Sequence, residues 1–182
     1  MDRSVAASYL SALIGLFLTV GLSACSSRFL EPDPRFARLA SELENAGYAS
    51  QSAPVSSREW VELINSGLEY GHSLFYSSSE RRWVLASRDV QFDLFEFSQL
   101  DEEKVRARLS LPGREGSDSG GNTASNEVHA KVRPDAEPIR RLFRSGHTDE
   151  EYMLRLPMRE SSGAIKGAKI LRYLAASKPS PA

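Results

Sequence analysis

The chain has 182 residues, of which 41% are hydrophobic and 26% charged, a composition that excludes wholesale disorder. A net charge of −1 gives no reason to expect a nucleic-acid partner. The charge is nevertheless uneven: Glu31 to Glu103 holds 14 acidic and 6 basic residues, Val128 to Arg172 holds 10 basic and 6 acidic.

The first element is a charge-free run from Ser4 to Ser27 behind Met1, Asp2 and Arg3. Its apolar centre, Leu10 to Leu22, has the length of a signal-peptide core, but Val5 to Ala24 nearly reaches the roughly 20 apolar residues of a membrane span, so length alone does not separate a signal from an uncleaved anchor and the ending decides. The run closes on Leu22-Ser23-Ala24-Cys25. This ending resembles the lipobox of bacterial lipoproteins. The resemblance implies that Leu22, Ser23 and Ala24 are read by the lipoprotein signal peptidase. It also implies that Cys25 is joined to a diacylglycerol and becomes the first residue of the mature chain. Ser26, where an Asp would retain the protein at the inner membrane, implies transfer to the outer membrane, with the domain facing the periplasm. Cys25 is the only cysteine, so it has no disulfide partner within the chain, and acylation would remove a free thiol from an oxidising compartment. Two acyl chains suffice for stable anchoring. The signal peptide is thus expected over 1–24, a polar tether over 25–34, one domain over 35–176 and a disordered tail over 177–182.

Within the domain, Asp33 can cap a helix begun by Pro34, with Phe36, Leu39, Ala40 and Leu43 at helical spacing and Gly47 as its stop. Ser56-Ser57-Arg58-Glu59 reads as a capping box for a second helix that buries Trp60, Leu63 and Ile64. The period then changes. Leu68 to Tyr76 is open between helix and strand, Ser77 to Glu80 reads as a turn, and Arg82–Ala86 and Val90–Phe97 read as strands. Lys104–Leu111 and Glu127–Arg133 alternate cleanly and suggest a hairpin around a flexible loop, 112–126. Asp135, Pro138, Ile139, Leu142 and Phe143 suggest a third helix, Tyr152–Met158 a strand, Glu160–Gly163 a turn and Lys169–Leu174 a last strand. The expected fold is α+β: a mostly antiparallel sheet packed with two or three helices, one face covered and one partly wet, behind a signal helix.

No string specifies chemistry. Asp118-Ser119-Gly120-Gly121 resembles part of the nucleophile motif of chymotrypsin-like serine proteases, but Ser117 stands where that family has Gly, and the His–Asp pair of such proteases is not recognisable upstream. His72, His129 and His147 lack metal-ligand spacing, so neither a metal nor a cofactor is expected. Asp93 and Glu96 sit among aromatics and read as the exposed side of an amphipathic strand. Leu94 and Phe95 are adjacent, which demands an exposed aromatic or a second covered face. Arg140, Arg141 and Arg144 are candidates for contact with a partner or with lipid headgroups. The expected function is a lipid-anchored, non-catalytic domain that binds an envelope protein. The alternatives are a periplasmic hydrolase, which would bring His72, Asp93 or Glu96 and a hydroxyl into one pocket, and a carrier of an apolar ligand or lipid.

Overall fold

The computed structural model describes residues 32–46, 54–87, 91–110 and 125–177. The leader with Leu22 to Cys25, the Asp118–Gly121 string and the tail beyond Ser177 lie outside them. The described residues fall within one compact unit that begins at Pro32. Its fold is α+β, with three helices and eight strands in two antiparallel sheets.

Helix α1 (Pro34–Ala46) starts as its sequence dictates. Asp33 Oδ1 accepts a hydrogen bond from the Arg35 amide at 2.8 Å, and Phe36 and Leu39 bury the helix's apolar side. Helix α2 (Val55–Asn65) begins after Pro54 without a side-chain cap, so the Ser56–Glu59 box is not used. Five strands form the first sheet, in the order β1 (His72–Ser77), β2 (Arg82–Ser87), β3 (Gln91–Phe95), β6 (Ile139–Phe143), β7 (Thr148–Glu151). The second sheet has the order β4 (Leu100–Arg108), β5 (Asn126–Val132), β8 (Met153–Met158). Helix α3 (Ser161–Ala176) is the last element among the described residues.

Both faces of the first sheet are covered, which corrects the expectation of one wet face. Phe75, Val84, Phe92, Leu94 and Leu142 pack with Phe36 and Leu39 of α1 on the outer face. Leu74, Trp83, Leu85, Phe95 and Ile139 point to the inner face and share the main core with α2, α3 and the second sheet. The adjacent Leu94 and Phe95 therefore both lie buried, on opposite sides.

Two sequence expectations fail for physical reasons. Residues 139–143 form a strand, not a helix. The Ile139–Leu142 spacing of three suits one helix face, yet in a strand it places the two residues on opposite faces, and here both faces are apolar. Residues 161–176 form a helix that absorbs both the expected turn at Glu160–Gly163 and the expected strand at Lys169–Leu174. Ala164, Gly167, Ala168, Leu171 and Leu174 repeat at helical spacing. The glycines that suggest a turn instead allow close packing: a Cβ on Gly167 would stand 3.3 Å from Val128 Cγ2 and from Met158 Cε.

Candidate functional site

The inner face of the first sheet changes character along its strands. Beyond Leu74, Leu85 and Phe95 the same face carries His72, Ser87, Gln91, Asp93 and Arg141, in cross-strand register. Here the second sheet offers its polar side, the side of β5 and β8 that turns Glu127 and Arg155 away from α3. Between them lies a cleft of about 440 Å³ lined by Glu69, His72, Ser87, Gln91, Asp93, Ser125, Glu127, Arg141, Arg155 and Pro157. A second cleft, which also contains Glu69 and His72, carries Tyr70 and Arg159, whose guanidinium stacks 5.3 Å from the Tyr70 ring centre.

Two charged networks line the first cleft. Arg141 binds Asp93 through both forks, Nε to Oδ1 at 2.7 Å and Nη2 to Oδ2 at 3.1 Å, and reaches Glu151 with Nη1 at 2.6 Å. The hydrogen bond to Asp93 holds the guanidinium's pKa above its ordinary value. Asp93 is 4% exposed, which corrects its reading as an outward-facing strand residue. A carboxylate so buried needs its fork-shaped partner, because an unpaired charge there would be costly. From the other sheet, Glu127 accepts from Ser125 Oγ at 2.9 Å and pairs with His129 Nε2 at 2.5 Å. Burial alone would raise the Glu127 pKa, but the bonds from His129 and Ser125 and the charge of Arg155 outweigh it, so it lies below the usual carboxylate range.

This geometry bears on chemistry. His72, Asp93 and the hydroxyls of Ser87 and Ser125 do line one cleft. Asp93, however, is held by Arg141, and Gln91 Nε2 stands 3.4 Å from it. Around Glu127 the carboxylate sits between hydroxyl and imidazole. Nucleophilic activation needs the imidazole in the middle, where it can take the hydroxyl's proton. The arrangement therefore suits recognition of a polar group: Arg155, the serines and Gln91 offer donors and acceptors on a pre-formed wall. Among the described residues no group of three or more His, Cys, Asp or Glu could hold a metal ion.

The three candidate arginines do not form one surface. Arg140 is exposed on the α1 side opposite Glu150, Arg141 turns inward to the cleft, and Arg144 is exposed in the β6–β7 turn. Neither Glu127 nor Arg155 stands out in the sequence. The one legible signal was Asp93 itself, since a strand with apolar neighbours on both faces leaves no wet side for a carboxylate.

No protein-family model matches the chain, and neither a curated protein nor a solved structure is significantly similar to it.

Proposed function

We propose that this chain is a lipid-anchored envelope protein, acylated at Cys25, whose folded domain binds another component of the envelope without catalysis. The observation that carries the reading is the Leu22-Ser23-Ala24-Cys25 ending, placed only seven residues before Pro32, where the folded unit starts. Ser26 favours the outer membrane, with the domain in the periplasm. The polar cleft supplies a recognition surface, and its Arg155 is exposed and available to a partner.

A hydrolase reading has one observation in its favour, the shared cleft of His72, Asp93, Ser87 and Ser125. The commitment of Asp93 to Arg141 weighs against it. The polar lining does not suit a carrier of apolar ligands.

The test is crosslinking in intact cells with the full chain tagged at its C-terminus, followed by mass spectrometry of bait and prey. A diacylated Cys25 and one recurrent species, lost both with Cys25→Ala and with Arg155→Glu, support the proposal. An unmodified Cys25 in a soluble protein would sink it. Capture that survives Arg155→Glu would move the binding surface away from the cleft.

A further inference from the structure

We propose that the second cleft, at the α2–β1 connection, is a saccharide site, in which Tyr70 is the platform for one ring of a β-linked oligosaccharide of glucose-type sugars. The site stands apart from the anchor at Cys25 and from the partner surface around Arg155.

A pinned turn holds Tyr70 out in solvent. The side chain is 80% exposed, the highest value among the described large apolar residues. On both sides its backbone is fastened: Leu68 bridges to Met158, the Glu69 amide donates to the Pro157 carbonyl at 2.9 Å, and the His72 amide donates to the Glu69 carbonyl at 3.1 Å. The last bond closes a turn whose third residue, Gly71, has φ +81°, a left-handed geometry that glycine supplies without strain. The ring is fixed as well. The Arg159 guanidinium covers one face, 5.3 Å from the ring centre. Arg159 is in turn held by its guanidinium on the Ser66 carbonyl and by its amide on the Gly67 carbonyl at 3.0 Å. The other ring face looks into solvent, and an aromatic held in this way has little conformational entropy left to lose on binding.

A lone exposed aromatic needs no ligand. This one stands over a cleft of about 610 Å³, within the roughly 300–1,000 Å³ of small-ligand sites. Apart from the ring and the buried Leu68, the side chains of the wall are polar, among them Glu62, Glu69, Ser73 and Arg159. A ligand that fits must therefore be apolar on one face and polar around its rim. A β-linked glucose-type ring has that form: its axial C–H bonds make an apolar face, and its equatorial hydroxyls both donate and accept. Carboxylates, a hydroxyl and a guanidinium match such a rim. The wall sets the carboxylates of Glu62 and Glu69 against the one guanidinium of Arg159, which is already turned to the ring, so it does not favour an anionic ligand such as a nucleotide.

The test titrates the full chain, in a zwitterionic detergent free of sugar, with cellotriose, with triacetylchitotriose and with tetralysine. Calorimetry gives the affinity, and saturation-transfer NMR shows which sugar protons touch the protein. We expect one of the two sugars to bind at millimolar concentration, with saturation strongest on the axial ring protons. Tyr70→Ala should weaken it by about tenfold, and Tyr70→Phe, which keeps the ring, by less than about twofold. Because the side chain is exposed, the melting temperature of both variants should stay that of the parent. Arg155→Glu, in the first cleft, should leave sugar affinity unchanged even where it abolishes capture of a partner protein, so the two readings fail separately. Binding of neither sugar, or of tetralysine alone, would overturn the site. So would an affinity that survives Tyr70→Ala, or saturation spread evenly over the sugar.

Discussion

The two ends of one sheet face differ more than any two elements of this molecule. At one end of the inner face Leu74, Leu85 and Phe95 are sealed against α2, α3 and the second sheet. At the other, a few residues along the same strands, Asp93 and Arg141 face Glu127 and Arg155 across a cleft. The strands and the hydrogen-bond ladder are the same; what differs is which side of the second sheet arrives opposite. Apolar residues are held by burial alone and tolerate no gap. Charged ones survive burial only as a satisfied network, and the gap beside them is what makes them useful.

The largest expected effect lies at the apolar end. Phe95 is fully buried, and Phe95→Ala should cost about 3–5 kcal/mol in urea unfolding. A loss below about 1 kcal/mol would mean that this end is not sealed. At the polar end, Arg141→Met leaves Asp93 buried without its partner and should cost about 3 kcal/mol. Adding Asp93→Leu should recover most of that loss, because replacing both charges with apolar groups removes the penalty. If the double variant were no better than the single, the cleft would depend on the charges themselves for its shape.

The sequence made the apolar end far more legible than the polar one. Helix α1 could be read from Asp33, Pro34 and the Phe36–Leu39 spacing, and β3, β5 and β8 from their alternation. These signals are local. The failures at 139–143 and 161–176 arose where a local pattern served two structures equally well. Ile139 and Leu142 match one helix face or two strand faces, and only β3 on one side and β7 on the other decide between them. The cleft was invisible for the same reason carried further. Asp93 and Arg141 are 48 residues apart, and nothing in either neighbourhood announces the other.

A middle-sized effect tests whether the polar end is also where the chain is fastened. Gly146→Ala forces a side chain onto a left-handed backbone and against Asp33, and should cost about 1–2 kcal/mol in thermal unfolding. Asp33→Ala, which removes the α1 cap, should cost about 1 kcal/mol. In the double variant the two losses should sum to less than their total, since one contact is removed twice. Full additivity would show that the turn and the helix start are not coupled.

The smallest effects concern two carboxylates near the apolar end, and they run in opposite directions. Glu80 is hydrogen-bonded by Arg35, which holds its pKa below the usual value, so it stabilises the fold above the ordinary carboxylate range. That contribution is lost as pH falls through the lowered folded-state pKa. Glu96, just past β3, has its pKa raised by burial against only a partial offset from Arg82. Its charge therefore costs stability once pH rises through the raised folded-state pKa. At neutral pH Glu80→Gln should lower the melting temperature and Glu96→Gln should raise it, each by less than about 1 kcal/mol equivalent for partly exposed groups. The bonds that cap the short helix at Phe97–Gln99 use the Glu96 backbone, its amide donating to Gln99 Oε1 at 2.7 Å and its carbonyl accepting from the Gln99 amide at 3.0 Å, so Glu96→Gln keeps them and the gain isolates the charge. Both differences should shrink towards zero in acid, where the native residues are protonated too. If Glu96→Gln stabilised equally at pH 3 and pH 7, the burial of charge would not be its cause, and the apolar end would not be hostile to a carboxylate as the comparison requires.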